Sequence, residues 1–207
     1  MRRVQRTESD RSTGATYTVV MVNSPTQQPA NRVVQVTGTL TEALAESVVA
    51  HVLYLESIAP NEPIFLWITD STSGSLASAL AILDVLRFVR APIHTSGGGR
   101  IAGVAVVLLA AGTPGERMVQ RDAQISLSLG LQPALSHAPL EGQSDGESRL
   151  AEALWLRQQV IAALAELTKR PVSQIELRTD AEEPVGMTAS EAVSYGIADR
   201  VVDVESP

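Results

Sequence analysis

Between residues 32 and 111 the chain passes three times from a short apolar run, through a turn, into a run with the three- and four-residue apolar spacing of a helix. Val33, Val34 and Val36 read as the first strand, Thr37 and Gly38 as a turn, and Thr41 with Glu42 as a helix start. In the helix over 43–56, Leu44, Val48, His51, Val52 and Leu55 form one apolar stripe that should pack on a sheet. The second cycle is a continuously apolar strand over 64–68, a turn-rich segment over 69–75 and a helix over 76–89. The third is a short strand over 92–95, a loop at Gly97, Gly98 and Gly99, and a buried helix over 101–111. Such repetition implies parallel strands with right-handed crossovers, and ligands or chemistry at the C-terminal ends of the strands. The segments 70–75 and 97–102 are therefore expected on one rim.

The remainder fits a single layered α/β domain. A chain of 207 residues can bury a continuous core, and 44% apolar with only 3% aromatic residues means a core of Ala, Val, Leu and Ile. Residues 1–30 are polar, with one β-like patch over 17–22, and read as a mobile arm or hairpin ahead of a domain over 31–204. The stretch 124–129 alternates like a half-exposed strand. After it, 132–147 holds Pro133, Pro139, Gly142 and Gly146 and reads as a protruding loop. A long helix over 147–167 carries a stripe of Leu150, Leu154, Val160, Leu164 and Leu167 and stops at Pro171. A short helix over 172–177, an acidic loop over 179–184, a helix over 189–195 and a strand over 201–204 complete the chain.

Several classes of function are disfavoured. A net charge of −7 and a pI near 5.0 oppose a nucleic-acid partner, which needs a clustered positive field. The absence of Cys removes disulfides, thiolate metal sites and a cysteine nucleophile. Three dispersed histidines make a transition-metal site improbable, and no cofactor is expected. Met1, Arg2 and Arg3 are followed by polar residues rather than by the apolar core of a secretory signal. The longest apolar run, 101–111, is about half of a membrane span, so the chain reads as cytoplasmic with no membrane contact.

The order of the pieces resembles the ClpP family of self-compartmentalising serine peptidases. The likeness runs from about 32 to 204. It is carried by Arg32-Val33-Val34-Gln35-Val36-Thr37-Gly38, by 50–56, by Ile82-Leu83-Asp84-Val85-Leu86-Arg87-Phe88, and by Leu108-Leu109-Ala110-Ala111-Gly112 with Gly115-Glu116-Arg117. Met187-Thr188-Ala189-Ser190-Glu191-Ala192 and Tyr195-Gly196-Ile197-Ala198-Asp199 extend it. The resemblance implies a ClpP/crotonase-like superhelical α/β fold of repeated strand-strand-helix units, with a handle over about 129–168. It also implies a Ser-His-Asp triad and a Gly-Gly oxyanion loop, all of which acyl transfer needs together. Here the nucleophile position, nine residues before Gly112, is Gly103. The base position is Ser128, and the acid position is Pro184, with Glu182 and Glu183 just before it; a one-residue slip would let Glu183 stand in. The oxyanion loop is altered at Ser73 and Gly74 and carries one residue more than the family's. Loss of all four elements points to a non-catalytic, ClpR-like subunit. Such a subunit would form heptameric rings with itself and a catalytic paralogue, and work beside a AAA+ unfoldase.

Other constellations have plainer structural readings. His51 lies on the apolar stripe of a helix, and His137 in a polar loop. His94 precedes the glycine triplet, so a relocated triad with Ser71, Ser73, Ser75 and Asp70 is conceivable, although serines are ordinary turn residues. The run from Gly97 to Arg100 admits a crotonase-like acyl-CoA oxyanion loop, or simply a tight turn. Phe65 and Trp67 stand on a strand where ClpP-like proteins place docking aromatics, yet such a strand more often buries them. Ser96, Gly98 and Gln120 are small or polar where that family's cleft is apolar. Trp155, on the long helix, would be hard to explain if the helix only capped a sheet.

Overall fold

In the computed structural model, which describes residues 4–9, 16–21, 31–129, 143–179 and 186–203, the three cycles form adjacent parallel strands with their helices on one face. Strands β1 (Val4–Ser9) and β2 (Thr16–Met21) make a separate antiparallel pair. The main chain then runs β3 (Val33–Thr37), α1 (Glu42–Ile58), β4 (Ile64–Ser71), α2 (Leu76–Phe88), β5 (Ile93–Ala102) and α3 (Val104–Ala110). It continues through β6 (Arg117–Gln120), β7 (Gln124–Ser126), α4 (Gln143–Thr168), α5 (Val172–Thr179), β8 (Gly186–Thr188), α6 (Ala189–Tyr195) and β9 (Arg200–Val202). The sheet order is β3-β4-β5-β6-β9, all parallel, while β7 pairs with the far half of β5 and β8 runs antiparallel to β7. This is the α/β parallel-sheet architecture expected.

The helices begin where side chains can satisfy their first amides. Thr41 accepts from Leu44 N at 3.2 Å and Ser75 from Ser78 N at 3.3 Å, while Thr188 and Glu191 form a reciprocal capping box. At the other end of α1, Arg32 donates to the carbonyls of Leu55, Ala59, Glu62 and Pro63 at 2.9–3.0 Å, so the first strand's leading residue closes the first helix. Val34, Val36, Leu66 and Ile68 alternate inward under α1 and α2, and every residue of α3 is buried. The sheet's period of two and the helices' spacing thus meet in one core built of aliphatic residues.

One local expectation changes. The glycine triplet is not a loop: β5 continues through Gly97, Gly98 and Gly99 to Ala102, and α3 starts only at Val104. A side chain at 97 would press on Ile101 and Leu109, so the glycine serves close approach of strand and helix rather than a turn. Strands β6 and β8, of four and three residues, carry too little pattern to read from sequence. His137, most of the loop over 132–147 and the acidic loop with Glu182, Glu183 and Pro184 lie outside the described residues. No helix among the described residues is long and apolar enough to cross a membrane.

Candidate functional site

The site forms where β5 gives way to α3. Gly103, the residue between them, has φ +60° and ψ −127°, and it makes no side-chain cap. A side-chain-bearing residue adopts that conformation only under strain; it is the sharp strand-to-helix elbow that lifts a side chain clear of the sheet. A Cβ at this position would stand 3.0 Å from the main-chain oxygen of Ser128 and 3.9 Å from that of Thr72. The Gly103 amide donates to Ser126 O at 3.0 Å, which fixes the elbow against β7. The fold therefore brings Gly103, Ser128 and the turn leading into Ser73 and Gly74 to one place.

The neighbouring turn is equally constrained. Gly74 bridges to Leu40 in parallel register, with Leu40 N donating to Ser73 O and Ser75 N to Leu40 O, both at 2.9 Å. Asp70, which the sequence offered only as a member of a relocated triad, sits at φ +48° beside a register shift in β4 and accepts the Arg100 amide at 3.1 Å. Gly99, at φ +64°, packs against that carboxylate where no side chain would fit. Together they kink β4 and β5 just ahead of the elbow. The signal was present as an Asp in a turn-rich stretch, but its partner lies 30 residues away.

Chemically, the cluster offers main-chain groups and hydroxyls. Glycine carries no nucleophile and serine no imidazole, and no hydroxyl–imidazole hydrogen bond occurs among the described residues. The Ser126 hydroxyl, on β7 beside the elbow, is buried without a partner among the described residues. Restoring a side chain at the elbow carries a cost: Gly103→Ala or Gly103→Ser should destabilise the fold by about 1–3 kcal/mol. Urea denaturation measures this directly, and an unchanged midpoint would contradict the strain.

The relocated triad does not form. His94 pairs in register with Phe65, whereas Ser71 pairs with Ile101, seven positions further along β5 and roughly 23 Å away. The serines are occupied: Ser71 donates to Gly38 O at 2.8 Å, Ser73 bonds Thr39 at 3.2 Å, and Ser75 caps α2. His51 is half-buried on α1, and burial depresses its basicity.

Phe65 and Trp67 are exposed at 40% and 43%, contrary to the expectation that the strand buries them. They lie on the sheet face opposite the helices, in rows with His94 and with Ser96, Met118 and Arg200. A second apolar patch, Tyr54, Ile58 and Phe88, stands at the C-terminal ends of α1 and α2, and Trp155 projects from α4.

A family model described as Clp protease matches residues 20–205. The chain is 36% identical over 173 residues to the ATP-dependent Clp protease proteolytic subunit 2 of Streptomyces avermitilis, covering 84% of this chain and 83% of that one. It superimposes on the crystal structure of the ClpP protease catalytic domain from Plasmodium falciparum with a TM-score of 0.71 at 28% identity, over 85% of this chain and 87% of that one.

Proposed function

The chain belongs to the Clp protease family, and on that premise we propose that it is a non-catalytic subunit which assembles into heptameric rings and scaffolds or regulates a proteolytic core. The observation that carries this reading is the elbow: its strained geometry is kept at Gly103 while the group it exists to present is missing. Members of the family form rings and work with Clp ATPases generally. A ring closed by rotation needs two different surfaces on each subunit, one facing forward and one back. The uncovered sheet face with Phe65 and Trp67, and the Tyr54–Phe88 patch on the helix ends, supply such a pair. Parallel sheets are normally covered on both faces, which gives the open face a reason to seek a neighbour. The helix α4, with Leu150, Leu154 and Trp155 exposed, would meet a second ring of active subunits.

Two experiments test the proposal. The purified chain should neither cleave fluorogenic peptides nor react with a fluorophosphonate, and robust labelling would overturn the non-catalytic reading. Native mass spectrometry, alone and with a catalytically intact relative, should return closed rings. Phe88→Glu places a charge in the smaller patch, where the native side chain is 78% exposed. It should reduce assembly by tenfold or more, about 1.4 kcal/mol per contact. Its thermal midpoint should barely change, because little of Phe88 is buried in the isolated fold.

A further inference from the structure

A cationic cleft lies where α5 meets the C-terminal end of α6. Arg170, just past α4, and Arg178, on α5, both stand over the ring of Tyr195, with guanidinium carbons 4.3 and 5.3 Å from its centroid. The two charges are therefore within about 10 Å of each other, close enough to repel. Arg87, Arg90, Arg117, Arg121 and Arg200 each meet a carboxylate, whereas among the described residues Arg170 and Arg178 meet none at ion-pair distance. Burial pushes the Tyr195 phenol up, against the pull of both arginines, so the ring between them stays neutral. Glu191 also lines the cleft, but it is committed to Thr188, accepting from that residue's amide at 2.8 Å and its hydroxyl at 2.9 Å. One positive charge is left over.

Arg170 is held in place by neutral acceptors. Its Nε donates to Tyr195 O and its Nη2 to Ser194 O, both at 2.8 Å, and its Nη1 to Gln174 Oε1 at 3.3 Å. These bonds fix the guanidinium plane without cancelling its charge, and they leave N–H donors unused. Closing the last carbonyls of α6 accounts for Arg170. It does not account for Arg178, which makes no hydrogen bond to a described residue. We propose that this cleft, of about 460 Å³, is an anion site that takes the phosphoryl group of a small phosphate ester between Arg170 and Arg178. Near neutral pH such a group carries close to two negative charges and three acceptor oxygens, so one ligand can answer both guanidiniums. A carboxylate brings a single charge and leaves one of the two unmatched. The site lies apart from the elbow and depends neither on Gly103 nor on ring assembly.

The test is calorimetric titration of the full chain with inorganic phosphate and with acetate, at ionic strength matched by chloride. Phosphate should bind saturably, and acetate about tenfold or more weaker. Arg178→Gln should weaken phosphate about tenfold while leaving the phosphate-free thermal midpoint unchanged, because the native side chain makes no hydrogen bond in the fold. Arg178→Lys, which keeps the charge and loses the fork, should fall between the two. Equal phosphate binding by the wild type and Arg178→Gln would mean an adventitious ion only, and acetate binding as tightly as phosphate would make this a carboxylate site; either overturns the proposal. So does a wild type that binds no phosphate, including the case in which binding emerges once Asp180, Glu182 and Glu183 are all changed to their amides, since the chain's own acids would then be the counter-charge.

Discussion

Gly103→Ser is expected to leave peptide hydrolysis at background, and Gly103→Ser combined with Ser128→His to exceed that single variant by about a hundredfold while staying about ten-thousandfold below an intact relative. The reasoning is that a triad works as a unit. Losing the nucleophile or the base costs about 10⁶ in kcat, whereas losing the carboxylate that orients the base costs only about 10⁴. A serine at the elbow is aimed by the same φ and ψ that Gly103 now adopts, but its proton has nowhere to go while residue 128 is serine. An imidazole at 128 supplies the acceptor, and Pro184 still provides nothing to hold its tautomer. Initial rates of fluorophosphonate labelling give the cleanest readout, because labelling needs an activated hydroxyl and no leaving-group protonation. Labelling by the single variant at the rate of the double would mean that a base is supplied from elsewhere, and the non-catalytic reading would have to be abandoned. The converse also has use: a ring position without a serine cannot be acylated, so a subunit of this kind would persist where serine-directed electrophiles silence its relatives.

The readable parts of this fold were those in which local pattern and tertiary role coincide. Leu44, Val48, Val52 and Leu55 repeat as a helix and are buried as a helix face. Counting back from Gly112 leads to Gly103, and the chain takes a positive-φ turn there between β5 and α3, which supports the role proposed for that position. Where one residue serves two ends, sequence misled. Gly97 looks like a turn because glycine usually supplies conformational freedom, yet in β5 it supplies absence of bulk against Leu109. Phe65 and Trp67 looked buried because an apolar run does not say which molecule covers it. His94 and Ser71 both precede glycines near a rim in the sequence, but the parallel register sets them at opposite ends of the β4–β5 ladder. The Asp70–Arg100 bulge and the Arg117–Asp199 pair span 30 and 82 positions, beyond any local pattern.

That last pair sets the largest stability effect expected in the chain. Arg117 is nearly buried, and its guanidinium holds Asp199 in two bonds, Nε to Oδ2 at 2.9 Å and Nη2 to Oδ1 at 2.6 Å. Its remaining nitrogen, Nη1, donates to Gly196 O at 2.9 Å, Leu167 O at 3.3 Å and Ala110 O at 3.4 Å, so one side chain serves the C-terminal ends of α6, α4 and α3. Asp199 Oδ2 also accepts the amides of Gly115 and Arg117. Arg117→Met fills similar volume but strands the carboxylate and three carbonyls, and should cost about 3–5 kcal/mol. Acid dependence then separates lost charge pairing from lost packing. The hydrogen bonds from Arg117 hold the Asp199 carboxyl below the usual carboxylate range, against the opposing effect of burial. A group depressed in this way contributes stability above its unfolded pKa of about 3.9 and loses it as pH falls through the lower folded value. Wild-type urea midpoints should therefore fall steeply below about pH 4, whereas Arg117→Met, already weakened at neutral pH, should show a shallower decline. Parallel declines in the two proteins would mean that Arg117 stabilises the junction through its contacts with the carbonyls alone, and that the carboxylate is held by the amides of Gly115 and Arg117.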